Sequence, residues 1–90
     1  MRRVGQARKR DASEAAIVAA LEAIGVTVLR LSGEGVPDLL CHTRGIWLPV
    51  EIKQVRSRRL TPAQCLTYAI APFPIVTTVA EALALYGVRG

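Results

Sequence analysis

The stretch that most constrains this chain is residues 36–53, VPDLLCHTRGIWLPVEIK. Two runs rich in Val, Leu and Ile flank Thr43, Arg44 and Gly45, a short turn-forming segment. That pattern predicts a β-hairpin with strands at 36–42 and 46–53. Side chains alternate between the two faces of a strand. Ile46, Leu48, Val50 and Ile52 therefore share a core face, and Trp47, Pro49, Glu51 and Lys53 share the other. Pairing of the two strands would bring Asp38, which follows Pro37, close to Glu51. Glu51 and Lys53 alone are explained by a simple ion pair. A second acid from across the hairpin makes a constellation with chemistry in it. Pro49 has no N–H to donate, so it predicts a sheet edge or a bulge.

The rest of the chain supplies elements to pack on that hairpin. Asp11 starts a helix, with Glu14 at capping-box spacing, and Ile17, Leu21 and Ile24 form its apolar stripe up to Gly25. Residues 26–31 read as a strand and 32–35 as a glycine-containing loop. Thr61 is the expected N-cap of a second helix, with Pro62 first and Gln64 completing a capping box. Residues 74–77 predict a fourth strand, and 78–86 a last helix stopped by Gly87. The order is αβββαβα, and the expected class is α/β with a central mixed sheet flanked by helices.

Ninety residues form one domain, expected at 11–90 behind a basic flexible arm at 1–10. The core of so short a chain is thin, which makes a homodimer an expected source of stability. The formal net charge is +5, and polyanions suit such a chain. Arg2, Arg3, Arg8, Lys9 and Arg10 cluster in the arm, and Arg56, Arg58 and Arg59 form a second cluster just after Lys53. Both are candidate phosphate contacts, giving affinity without sequence readout; a solubilising tail is the plainer reading of the first. Cys41 and Cys65 lack CxxC spacing and are expected to be reduced, buried and inert. His42 has no partner at ligand spacing, which argues against zinc. Asp11, Glu14 and Glu22 interrupt any leader-like pattern, and no apolar run reaches the ~18 residues of a membrane span. An intracellular protein is expected.

Two carboxylates and a backbone carbonyl, here Asp38, Glu51 and Ile52, are hard oxygen ligands that suit Mg²⁺ or Mn²⁺. A metal there would polarise a phosphate and acidify a water. Lys53 beside it would orient that water or stabilise the transition state. Glu14 lies within ~40° of Val18 and ~20° of Leu21 around its helix, so it faces inward, where a bare charge is costly. It either joins the site or completes the Asp11 cap.

Pro37-Asp38 followed by Glu51-Ile52-Lys53 resembles the signature of the PD-(D/E)xK nucleases. Gln64 to Tyr68, reading QCLTY, is similar to the QxxxY pattern of the VRR-NUC and RecB-like branches, and residues 36–40 after a glycine-containing loop also look like VRR-NUC. The resemblance spans roughly residues 11–77 and is greatest to the stand-alone VRR-NUC domains of virus and phage type, related to Holliday junction resolvases. It implies a restriction-endonuclease-like αβββαβ core and metal-dependent hydrolysis of DNA, probed best with branched or flapped substrates. It assigns catalysis to Asp38, Glu51, Lys53 and Gln64, adds Glu14 to the metal ligands, and places Tyr68 at the nucleic acid. A capping role explains Gln64 equally well, and core packing explains Tyr68. Trp47 shares the Glu51 face, where it either stacks on a base or, as expected, packs against a helix. The rival readings are a non-catalytic nucleic-acid-binding module on the same fold and a structural interaction protein.

Overall fold

The computed structural model describes residues 4–89. The order is α1 (Val4–Ala23), β1 (Thr27–Arg30), β2 (Leu39–Thr43), β3 (Ile46–Ile52), α2 (Pro62–Ile70), β4 (Ile75–Val76) and α3 (Val79–Ala84). This is an α/β chain with a four-stranded mixed sheet and three helices. The sheet order is β1-β2-β3-β4, antiparallel across the first two junctions and parallel between β3 and β4.

The hairpin forms as its pattern requires. Leu39 pairs with Val50, Cys41 with Leu48, His42 with Trp47 and Thr43 with Ile46. Arg44 and Gly45 form the two-residue turn, with φ of 54° and 76°. Two positive φ values in succession suit the right-handed twist of the flanking strands. Pro49 sits in an interior strand, yet it occupies a local edge. The N–H groups of Glu51 and Lys53 point to β4, bonding Pro74 and Val76 carbonyls at 3.0 and 2.9 Å. By alternation Pro49 faces the same side, one step before β4 begins, so no bond is lost.

α1 and α3 pack on each other and cover one sheet face. Ile17, Val18 and Leu21 meet Leu39, Cys41, Val50, Ile52, Val76 and Ala82 in the core. Each fully buried Leu, Ile or Val contributes about 1.5–3 kcal/mol. Tyr86 borders this core with its hydroxyl enclosed, and burial raises its pKa to about 12. Burial likewise pushes the Cys41 thiol up. Cys65 differs from expectation: it lies on the outer side of α2 and is exposed.

α1 begins seven residues before Asp11. Residues 4–10 thus belong to α1, Asp11 is not its first residue, and Glu14 sits well inside the helix. Met1 to Arg3 lie outside the described residues. So do the side chains of residues 4–12, including the candidate phosphate contacts Arg8, Lys9 and Arg10.

α2 starts as its sequence dictates, with Thr61 as N-cap, Pro62 in the first turn and a complete capping box with Gln64. Gly35 holds the preceding loop against this helix. Its φ is +80°, and a Cβ there would lie 3.0 Å from the Ala63 carbonyl and 3.1 Å from Thr67 Oγ1. Gly35→Ala should lower unfolding free energy by at least about 1–2 kcal/mol from the left-handed conformation alone, read as a lower urea midpoint with an unchanged m-value.

Candidate active site

The site grows from the open end of the hairpin. Paired residues share a face, so the register that joins Leu39 to Val50 puts Asp38 across from Glu51. The two acids then fix each other. The Asp38 N–H donates to Glu51 Oε1 at 3.1 Å, and the Ile52 N–H donates to Asp38 Oδ2 at 2.9 Å. Both side chains are buried, Asp38 at 8% and Glu51 at 2% exposure. Charge-assisted bonds from backbone N–H groups offset part of the desolvation cost.

Gln64 binds this pair to α2. Its Nε2 donates to Glu51 Oε2 at 2.8 Å, and its Oε1 accepts from Lys53 Nζ at 2.9 Å and from the Thr61 N–H at 3.0 Å. Lys53 Nζ also lies 3.1 Å from Glu51 Oε2. Capping and positioning, alternatives in the sequence, are therefore one role. Asp38, Glu51, Ile52, Lys53 and Gln64 line an open cleft of about 420 Å³. Gln54, Ser57, Arg59 and Thr61 complete its wall. Of these the sequence had singled out Arg59 as a ligand contact and Thr61 only as a cap. A smaller cavity of about 230 Å³ at the far end of the sheet, lined by Ile24, Val26, Thr43, Arg44, Tyr86 and Val88, contains no carboxylate.

Glu14 faces inward at 6% exposure, as its helical angle requires. It is bonded by Arg30 Nε at 2.8 Å. Among the described residues no group of three or more His, Cys, Asp or Glu side chains is placed to hold a metal. Glu14 is thus not brought into one three-acid cluster with Asp38 and Glu51. The sequence reading missed Arg30, although a signal existed: Arg30 pairs with Leu39 and so carries a cation on the core face of β1, opposite an inward acid.

The second basic cluster divides. Arg59 lines the cleft. Arg56 is exposed. Arg58 Nη2 instead donates to Glu81 Oε2 at 2.6 Å, tying the loop to the start of α3. Glu81 Oε1 accepts from the Thr77 N–H and hydroxyl at 2.6 and 2.9 Å, while Thr78 caps the helix through the Glu81 N–H. The backbone bond from Thr77, then Arg58, holds the Glu81 pKa below its usual value. Tyr68 stands edge-on to Phe73 at 5.1 Å between centroids and does not line the cleft. Trp47, expected against a helix, is instead largely open to solvent. Its ring lies 4.4 Å from the His42 ring and it is 53% exposed.

Comparison with family models, curated proteins and solved structures found no match. Among the described residues no helix is long and apolar enough to cross a membrane.

Gln64→Ala removes the donor to Glu51 and the acceptor for Lys53 together. It should cost about 1–3 kcal/mol in denaturant unfolding; Thr61→Ala, losing only the cap, should cost about 1 kcal/mol. Glu81 carries a second expectation. A depressed folded pKa adds stability above the unfolded value, near 4.3, and that stability is lost as pH falls through the folded value. The wild-type Tm should therefore drop more than that of Glu81→Gln below about pH 4.

Proposed function

We propose that this chain is a metal-dependent nuclease of the PD-(D/E)xK class, with a VRR-NUC-like domain that hydrolyses phosphodiester bonds in DNA. The observation that carries the reading is the buried Asp38–Glu51 pair with Lys53 Nζ 3.1 Å away, opening on a cleft that Arg59 also lines. The αβββαβ order, with its antiparallel hairpin and parallel fourth strand, supports a restriction-endonuclease-like core.

The donor set fits a hard divalent cation. Each carboxylate presents two oxygens with several lone pairs, hard donors that can serve a backbone N–H and a cation together. Asp38, Glu51 and the Ile52 carbonyl would hold Mg²⁺ or Mn²⁺. Such an ion supplies Lewis acidity toward the phosphate and a more acidic water. The chain's own part is positional and electrostatic. Gln64 holds the Lys53 ammonium at the cleft, where it orients the attacking water and neutralises charge building on the phosphate. Arg59 grips a neighbouring phosphate, with Arg56 outside it. Asp38 and Glu51 stay fixed because each is bonded to the opposite strand's backbone. Branched or flapped DNA is the proposed substrate, and a homodimer would present two clefts to a junction.

A second reading has its own observation. Lys53 already satisfies Glu51, as a structural ion pair in a non-catalytic nucleic-acid-binding module would. Cleavage of labelled four-way, flapped, single-stranded and duplex DNA in Mg²⁺, Mn²⁺ or EDTA decides between them. The nuclease reading expects metal-dependent cutting, abolished by Asp38→Asn and lowered about 10²- to 10³-fold by Lys53→Ala, with DNA affinity retained. Binding without cutting under every metal would favour the module.

A further inference from the structure

The face that carries the two acids continues toward the hairpin turn. Asp38, Leu40 and His42 alternate on β2's side, facing Glu51, Pro49 and Trp47 on β3. Leu29 of β1, paired with Leu40, extends the same face and is 45% exposed. α2 reaches this face at the Glu51 end, through Gln64. At the other end Trp47 is 53% exposed and tilted 44° against His42. An apolar floor therefore runs from the carboxylates to an aromatic pair. Four strand steps lead from Trp47 to Glu51, about 13 Å.

We infer that this floor receives unpaired nucleotides of the strand held in the cleft, with one base stacked on the Trp47–His42 pair. The inference rests on the nuclease reading and narrows its substrate to DNA with an unpaired segment beside the cut. Three observations select this occupant. The platform is continuous with the cleft, on the same side of the same two strands. Arg59 sits at the cleft end, where a strand's phosphates would need a cation. The floor is also small: three strand widths by about 13 Å is on the order of 200 Å², far below the ~800 Å² per partner of a stable protein interface. A second copy of the chain would need other surface as well. Duplex bases are stacked on one another and offer no free face, whereas unpaired bases stack on aromatic side chains whatever their identity.

Trp47 is the chain's sole tryptophan, so its fluorescence reports on this position alone. Titration is done in EDTA, where no cutting occurs, with single-stranded oligothymidylate and with a blunt duplex of equal length. Expected are quenching by the single strand only and a single-strand affinity, from anisotropy of a labelled oligonucleotide, lowered about 5- to 150-fold by Trp47→Ala. Trp47→Phe should retain most of it, and the duplex affinity should not move. Circular dichroism of each variant separates loss of fold from loss of stacking. Absent quenching, unchanged affinity in Trp47→Ala, or equal quenching by duplex overturns the inference. So does a Trp47 emission that shifts to the blue with protein concentration alone, since a second copy then covers the face. Metal-dependent cleavage without quenching removes this inference only; quenching without cleavage by the wild type removes the nuclease reading and leaves the stacking site.

Discussion

Everything near the cleft depends on one reciprocal arrangement: the side chain of each acid is bonded by the backbone on the other acid's side of the hairpin. A carboxylate on a flexible loop would take many rotamers. Here Asp38 and Glu51 each surrender that freedom to N–H groups whose positions are set by strand pairing. The register of the hairpin and the geometry of the acids are therefore the same fact. A slip of one residue would turn Glu51 into the core and Val50 out of it, so the apolar residues that fix register also guard the site.

Gln64 extends this logic to a helix. Its side chain serves the capping box, the acid and the amine at once, so the start of α2 cannot shift without moving Lys53. Gly35 presses the loop before Asp38 against the first turns of the same helix. The segment leading into one acid and the residue holding the other acid thus rest on a shared support. α3 is tied in from a different side through Glu81 and Arg58. The arginine loop is in this way a folded connector, with Ser57 N–H bonding the Gln54 carbonyl at 3.0 Å, and its three arginines have three different surroundings.

Much of this was legible in the residues because it follows from local rules. Period-two alternation gave the two faces of β3, turn chemistry gave the hairpin, and Thr61-Pro62-x-Gln64 gave the start of α2. What was not legible depends on groups distant in sequence. Arg30 meeting Glu14, and Arg58 meeting Glu81, join positions 16 and 23 residues apart. Cys65 was misread because α2 keeps that side in solvent. Trp47 was misread for a related reason: a helix was assumed to cover the whole second face, and α2 is held to one end of it. The start of α1 was misplaced because Asp11 and Glu14 imitate a cap within a helix that has already begun.

Pro49 bears on how this protein lives among copies of itself. Beyond the two positions paired with β4, the outer margin of β3 is a row of main-chain groups of the kind another extended segment can join in register. Proline breaks that row in its middle, removing the donor a stranger would need, and it does so where the chain's own fourth strand has no use for one. The same residue that leaves the fold unharmed therefore makes this margin a poor template for aggregation, and it lets an apolar floor remain open to solvent beside it.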